Sequence, residues 1–255
     1  MKLSGGDIND VIRIDDTVRR PSGPWTPAVH ALLRHFEQVG FDGAPRVIGT
    51  DDHQHEILSY IEGEPGLAPV PAGDAVLDAL GLLLRRMHDA QVGFRPPPDA
   101  AWQRHVGQPP HGPVICHLDV FWTNVIFRDG LPVALIDWDF AAPAERLFDV
   151  ACAVSYWAPI RTDEQAGQWG LPVEHRGPRM RALCDAYGLP SEERSRLLDA
   201  LVAQQHHWLD THRLWGGVER RPGWAELWDA GTEQAILANI AFVEDHRDEL
   251  QTWLR

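Results

Sequence analysis

Two acidic residues and one carboxamide are spaced through the middle of the chain between short apolar runs. Asp119 follows the apolar run 114–116, Asn124 comes five positions later, and Asp137 ends a second apolar run thirteen positions beyond Asn124. In phosphoryl transfer, one carboxylate accepts the proton of the attacking hydroxyl, while a carboxylate and a side-chain amide hold Mg²⁺ against the nucleotide phosphates. These residue types therefore predict transfer of a phosphoryl group.

The segment between Asn124 and Asp137 is typical of a β-hairpin. Asp129-Gly130 stands between two apolar runs, and this dipeptide favours a two-residue turn. A hairpin of this length would bring Asn124 and Asp137 side by side, with Asp119 in the loop that leads into the first strand. An Asp or Asn near a turn is by itself more often a turn or cap residue, so the prediction depends on the ordered set.

These residues also resemble the signature motifs of a known family. His117-x-Asp119-x-x-x-x-Asn124 is similar to the kinase motif H-R-D-x-x-x-x-N. Residues 136–138 (Ile-Asp-Trp) resemble the second motif of the aminoglycoside phosphotransferase and choline kinase-like enzymes, and residues 149–151 (Asp-Val-Ala) resemble a further acid that recurs in them. The chain thus resembles a family with a protein-kinase-like fold.

The resemblance implies an α+β architecture with two lobes. A small N-terminal lobe, an antiparallel β-sheet with one helix, would span residues 1–62 and bind the nucleotide. A larger, mainly α-helical C-terminal lobe, residues 63–255, would carry the catalytic loop and the substrate pocket. Amphipathic patterns and end signals predict helices in it at residues 72–91, 147–157, 176–188, 191 to about 214 and about 224 to 253.

The resemblance also implies a role for each residue of the set. Asp119 would be the catalytic base, Asn124 and Asp137 would hold Mg²⁺, and His117 and Asp149 would support the catalytic loop. ATP is the implied phosphoryl donor, with GTP not excluded. The acceptor would be a hydroxyl group of a small molecule such as an aminoglycoside, an amino alcohol, a sugar or a similar metabolite.

The nucleotide side of the site is less clearly marked. Where kinases carry a phosphate-binding Lys, the predicted second strand offers only Arg19 and Arg20. Side chains alternate along a strand, so one of the two can enter the cleft. We favour Arg20, because Val18 would then face the adenine; two solvated arginines at a strand end are the alternative. By resemblance, residues 59–61 would form the hinge between the lobes, where backbone groups of Ser59 and Ile61 would bond the adenine edge; their position is the only support for this role.

One departure from the family pattern concerns the helix predicted at residues 27–40. Kinase-like enzymes carry a Glu on this helix, paired with the phosphate-binding cation. Here the matching positions are Val29 and His30, and the nearest acid, Glu37, lies two turns later. This leaves a second interpretation open: a catalytically weak protein of kinase fold that binds nucleotide or a small ligand, or that regulates another process.

Further departures lie within the motifs. Leu118 stands where the family commonly has Gly or Asn, and Phe121-Trp122 is bulkier than usual, so both could reshape the acceptor pocket. Asp139 could assist a second metal or lie on the surface. Two adjacent glycines at residues 4–7 predict a turn, which by resemblance would lie over the nucleotide phosphates.

Composition limits the partners. The 255-residue chain has a net charge of −14, so we expect it to bind neither nucleic acid nor an anionic membrane. The charge suits a cationic small-molecule acceptor, and by resemblance Asp210, Glu226 and Asp229 could bind amino groups, although solvated helix faces explain them as well. Seven of the eleven tryptophans follow residue 150, which predicts an aromatic-lined cavity or a heavy core there.

The cysteines and the hydropathy pattern indicate the compartment. Cys116, Cys152 and Cys184 are widely spaced and odd in number, which predicts reduced, buried thiols. No apolar run reaches the length of a membrane span. We therefore expect a cytoplasmic protein, either a monomer or a homodimer.

Overall fold

A computed structural model describes residues 11–67, 73–103, 112–170 and 173–255; the turn predicted at residues 4–7 lies outside the described residues. The strands are β1 (Ile12–Ile14), β2 (Thr17–Pro21), β3 (Val47–Thr50), β4 (His55–Ser59), β5 (Glu64–Pro65), β6 (Val114–Cys116), β7 (Val125–Arg128), β8 (Leu131–Leu135) and β9 (Ala142–Ala144). The α-helices are α1 (Thr26–Val39), α2 (Asp74–Asp89), α3 (Arg146–Trp157), α4 (Asp163–Gln168), α5 (Arg176–Tyr187), α6 (Ser191–His212), α7 (Trp224–Asp229), α8 (Thr232–Asp245) and α9 (Arg247–Trp253).

The N-terminal part is a four-stranded antiparallel sheet in the order β1-β2-β4-β3. Helix α1 carries Pro27 in its first turn and ends at Gly40, whose φ of 78° suits a residue without a Cβ. Leu32, Leu33 and Phe36 on its inner face are buried. The predicted small lobe of one antiparallel sheet with one helix is confirmed.

The catalytic segment begins the second part of the molecule. Asp129 and Gly130 both have positive φ, 52° and 77°, as a type I′ turn requires, and β7 and β8 pair on either side of them. Strand β5 adds to the outer side of β7, which joins residues 64–65 to this sheet. The hairpin is therefore confirmed, whereas the lobe boundary at residue 62 stays a prediction.

The remainder is mainly helical, as predicted. Helix α6 begins at Ser191, with Pro190 at the N-cap position. The predicted long last helix is divided into α7, α8 and α9. Gly231 takes φ 93° ahead of α8, a left-handed conformation that a continuous helix cannot contain.

Helix α2 and the hairpin pack on one large core that also includes α3, α5 and α6. Its largest fully buried side chains include Trp138, Trp157 and Met180. Cys116, Cys152 and Cys184 are free thiols and buried, as expected. Within the described ranges, every helix is too short or too polar to cross a bilayer.

Candidate active site

The loop between β6 and β7 is fixed from beneath by one buried carboxylate. Asp149 on α3 is fully buried and accepts the backbone N–H groups of His117 and Leu118, both at 2.8 Å. His88 Nε2 lies 3.1 Å from the same carboxylate. Burial raises the pKa of Asp149, but the hydrogen bond and charge of His88 outweigh it, so the pKa is lowered and Asp149 stays ionised. These contacts set the direction in which the loop leaves β6.

His117 connects this loop to the end of the hairpin. Its Nε2 donates to the carbonyl of Ile136 at 2.9 Å, and its Nδ1 accepts the N–H of Asp119 at 3.3 Å. Burial lowers the pKa of His117 despite the nearby Asp149, so the ring is neutral with its proton on Nε2. The ring also packs edge-on against Trp138, with centroids 4.7 Å apart. His117 thus holds the loop at a fixed distance from Asp137.

Asp119, Asn124 and Asp137 converge as predicted. Asn124 Nδ2 donates to Asp119 Oδ2 at 2.8 Å, and the N–H of Ile136 donates to the Asn124 carbonyl at 2.9 Å, which places Asp137 beside Asn124. Asp137 itself takes a left-handed conformation with φ 60°. Burial and the charge of Asp137 raise the pKa of Asp119 to about 7. An acid that titrates near neutrality is suited to accept a proton.

Arg20 reaches this cluster from the small sheet. Its guanidinium donates to Asp137 Oδ1 at 2.7 Å, to Asp139 Oδ1, and through Nε to Glu56 Oε1 at 2.6 Å. Burial lowers the pKa of Arg20, but Asp137 and Glu56 outweigh it and the net shift is upward. Arg20 is therefore a permanent cation held between β4 and the end of β8.

The acid missing from helix α1 is supplied by strand β4. Glu56 is directly opposite Arg20 in the β2–β4 register and is 2% exposed. His30 on α1 is also buried, and its Nε2 lies 2.6 Å from Glu56 Oε2. His30 is therefore an internal partner of Glu56 at the helix position where a kinase carries its Glu. Although burial raises the pKa of Glu56, the bonds from His30 and Arg20 bring the net shift downward.

The other predicted nucleotide-binding residues do not join this cluster. Arg19 has its guanidinium 3.6 Å from Asp51. The N–H of Ser59 donates to the carbonyl of Arg46 at 2.8 Å, so this donor is already used. Ile61 lines a separate cavity against α2. The structure thus brings Arg20, but not Arg19, to the carboxylates.

Sequence reasoning missed two members of the cluster, Glu56 and His30, and left Asp139 open as either an assistant of a second metal or a surface residue. The surface position considered for Asp139 is wrong, because its side chain is buried and accepts the indole N–H of Trp25 at 2.9 Å. An available signal was the single acid in the strand sequence His-Glu-Ile-Leu-Ser of β4, since an acid inside a short buried strand needs a partner.

The oxygen atoms of the cluster fit a hard divalent cation. Asn124 donates through Nδ2 to Asp119, which leaves its Oδ1 as a ligand, and the Asp137 side chain is 40% exposed. Carboxylate and amide oxygens are the ligands that Mg²⁺ prefers. The guanidinium of Arg20 contacts Asp137 Oδ1, so an ion bound at this oxygen would have to share or replace that contact.

Comparison with known proteins gives three kinds of match. A sequence model of the phosphotransferase enzyme family matches residues 98–198. The trifolitoxin immunity protein of Rhizobium leguminosarum bv. trifolii is 39% identical over 212 residues, which cover 80% of each chain.

Solved structures share the fold at low sequence identity. A choline/ethanolamine kinase family protein from Mesorhizobium loti superimposes with a TM-score of 0.62 at 16% identity, covering 100% of this chain and 91% of that one. An amicoumacin kinase in complex with AMP-PNP and Ca²⁺ gives 0.64 at 12% identity, with 91% and 88% coverage. An ADP-bound aminoglycoside phosphotransferase gives 0.61 at 13% identity, with 94% and 93% coverage. The small antiparallel sheet and the helical C-terminal part are those of choline kinase-like and aminoglycoside phosphotransferase structures. Together with the family match and the 39% identical relative, they show that the chain belongs to the phosphotransferase enzyme family.

Proposed function

We propose that the protein is a phosphotransferase that moves the γ-phosphate of ATP to a hydroxyl group of a small molecule, with Mg²⁺ as cofactor. The observation that carries the proposal is the convergence of Asp119, Asn124 and Asp137 around the end of the hairpin, with Arg20 reaching them from the small sheet. Positioning and charge stabilisation supply most of the catalysis in this reaction, and these four side chains offer both.

Each residue has one task in the proposed mechanism. Asp119 accepts the proton of the acceptor hydroxyl while the hydroxyl oxygen attacks the γ-phosphorus. The new P–O bond forms as the bond from the γ-phosphorus to the β–γ bridging oxygen breaks, and ADP leaves. Asn124 and Asp137 would hold Mg²⁺, which neutralises the phosphate charge when bound. Arg20 releases Asp137 and turns to the phosphates, while Glu56 keeps its Nε in place.

The argument for a catalytically weak protein has less support once Glu56 is considered. That interpretation depended on a helix without an acid and on a cation without an orienting partner. Glu56 provides the partner at 2.6 Å, and its charge is in turn held by His30. One relative is named an immunity protein, and phosphorylation of a hydroxyl on a toxic compound is a reaction that could confer immunity.

ADP release measured with ATP or GTP, Mg²⁺ and a panel of hydroxyl compounds tests the proposal. We expect one class of acceptor to stimulate release well above the background, and Asp119→Ala to abolish that stimulation. Asp78→Ala, which removes an exposed carboxylate from α2, is the matched control and should leave it unchanged. Undiminished acceptor phosphorylation by Asp119→Ala would overturn the assignment of the base.

A further inference from the structure

A cavity of about 430 Å³ lies beside the catalytic loop, between the C-terminal end of α3, α4, α6 and α8. The rings of Tyr156, Trp169 and Trp208 line it. Phe121, two residues after Asp119, contacts Tyr156 and Trp169 with ring centroids 5.0 and 5.8 Å apart. The walls of the cavity are thus continuous with the catalytic loop, where an acceptor must bind.

Arg161 is a buried cation in the wall of this cavity. It is 3% exposed, its guanidinium stacks 3.5 Å from the centre of the Trp169 ring, and one terminal nitrogen donates to the Ser155 carbonyl at 2.5 Å. Its Nε has no hydrogen-bond partner within the described part of the chain. Burial lowers the pKa of Arg161 to about 9, so the group is still charged at neutral pH.

Arg161 forms no ion pair with a carboxylate of the residues that the structure describes. Among the described residues that line the cavity, none is Asp or Glu. The contrast is Arg20, which is also buried but contacts three carboxylates. The carbonyl at the end of α3 offers Arg161 only part of a compensating charge, about half an elementary charge for a whole helix terminus. A buried guanidinium with an unused N–H is therefore prepared for an anion.

The remaining groups of the cavity agree with an anionic ligand. Burial lowers the pKa of His212 to about 4, so that ring is neutral and can offer a hydrogen bond but no charge. Asp229, considered from the sequence as a site for amino groups, instead pairs on the surface with Arg220 at 2.6 and 2.8 Å. The cavity therefore offers a cation, neutral hydrogen-bonding groups and flat aromatic walls.

We infer that the phosphoryl acceptor carries a carboxylate in addition to its hydroxyl, and that Arg161 binds this carboxylate in the cavity. The inference rests on the proposed function, because it identifies the class of compound that Asp119 would deprotonate. The carboxylate takes no part in the chemical step; it anchors the acceptor so that the hydroxyl reaches the catalytic loop. The aromatic walls favour an acceptor with a flat apolar part between the two groups.

Three compounds of equal size and different charge test the inference: para-hydroxymethylbenzoate, its primary amide and the corresponding benzylamine. Binding to the full-length protein is measured by titration calorimetry without nucleotide. We expect the benzoate to bind about tenfold more tightly than the amide, since a charge-assisted hydrogen bond contributes that much, and the amine to bind most weakly. Arg161→Gln should remove the preference.

Arg179→Gln is the matched control. Arg179 is equally buried, at 3% exposure, and donates to the carbonyl of Trp157 at the same end of α3 at 2.8 Å, but it does not line the cavity. The benzoate preference should survive in this variant. If Arg161→Gln does not fold, the ranking of the three compounds on the unchanged protein still decides the matter.

Two results on the unchanged protein would overturn the inference: equal or tighter binding of the amide or the amine, and absence of benzoate binding at millimolar concentration. Retention of the preference in Arg161→Gln would also overturn it. ADP release is measured separately with ATP and Mg²⁺. If no compound stimulates ADP release but the Arg161-dependent preference is present, the proposed function fails while the carboxylate site stands. If a compound stimulates ADP release but the preference is absent, the proposed function stands and the carboxylate site fails.

Discussion

Glu56 Oε1 lies 2.6 Å from Nε of Arg20, across two neighbouring strands of the small sheet. This contact leaves both terminal nitrogens of Arg20 pointing at Asp137 and Asp139. A cation that a kinase would orient from a helix is here oriented from a strand. His30 on α1 contacts the same carboxylate. The helix and the sheet are therefore still joined by a polar contact, but here the acid lies on the sheet and its partner on the helix carries a basic side chain.

Replacing Glu56 by Gln should weaken both nucleotide use and stability. We expect the KM for ATP to rise about 10–100-fold, because Arg20 loses its orienting partner, and the free energy of unfolding to fall by about 3 kcal/mol, as for other broken buried ion pairs. Steady-state kinetics and urea unfolding measure the two effects. Glu62→Gln, in an exposed acid of the same lobe, should change neither.

His30→Gln should produce a smaller loss of the same kind, about 1–2 kcal/mol in stability. Since His30 acts through Glu56, the double variant should be little worse than Glu56→Gln alone, as expected for residues in one network. The same kinetic and unfolding measurements apply. Losses that simply add would show that His30 acts on the nucleotide site by another route.

Asp119→Asn should separate activity from stability. We expect turnover to fall about 10²–10⁴-fold, as for loss of a general base. In the native protein the pKa of Asp119 is about 7, above its usual value of 3.8, so the native state binds the proton more tightly than the unfolded state. Ionisation of Asp119 therefore destabilises the protein as pH rises from about 4 to 7.

The Tm difference between Asp119→Asn and the unchanged protein should accordingly grow by about 5–10 °C in favour of the variant from pH 5 to pH 8, because a pKa raised from 3.8 to about 7 destabilises the native state by about 2–3 kcal/mol over this range. For the unchanged protein, kcat/KM should rise through about pH 7 as the base ionises. Asp78→Asn provides a control with a pH-independent Tm difference. A Tm difference that shrinks toward high pH would contradict the assigned shift.

Asp149→Asn should loosen the catalytic loop. The asparagine retains one acceptor oxygen but turns its NH₂ group toward one of the two backbone N–H donors, so His117 or Leu118 loses its partner. We expect a loss of about 2–4 kcal/mol in unfolding free energy and a lower kcat. Asp89→Asn, in an acid with its side chain 47% exposed that pairs with Arg85 and Arg146, should cost less than about 1 kcal/mol.

Leu118→Gly tests why a leucine occupies a strained position. Leu118 has φ 64°, which costs an L-residue about 1–2 kcal/mol, but its side chain is 3% exposed in a small apolar cluster with Phe148. Loss of a buried leucine costs about 2–5 kcal/mol, so packing exceeds strain and the variant should be less stable by about 1–3 kcal/mol. Asp129 also has a positive φ, 52°, but its side chain is exposed. Asp129→Gly should therefore be neutral or stabilising, as measured by thermal unfolding.

Local patterns were enough to predict that Asp119, Asn124 and Asp137 lie close together. The turn Asp129-Gly130 has a conformation that few other dipeptides adopt, and the strands on either side fix how far apart Asn124 and Asp137 lie. The motif residues around Asp119 and Asp149 lie within one continuous stretch. Their convergence therefore depends on short connections that can be followed along the sequence.

The surroundings of Arg20 and Arg161 could not be predicted from local patterns, because they depend on contacts between residues that are distant in the sequence. Glu56 meets Arg20 only because β2 pairs with β4, although the two residues are 36 positions apart in the sequence. The cavity around Arg161 is built by helices whose relative positions are fixed by packing, and the last predicted helix was too long because Gly231 divides it. Alternation along β2 predicted that only one of Arg19 and Arg20 enters the cleft, and Arg20 is the one that reaches Asp137 and Asp139.

The tip of the β7–β8 hairpin, residues 128–131, is exposed, whereas its base is joined by the hydrogen bond from Ile136 to Asn124. Residues inserted into the exposed turn at the tip would therefore extend into solvent without displacing the base of the hairpin. In the course of evolution, this outer end is where insertions could accumulate and new binding surfaces could arise while the reaction centre stays in place.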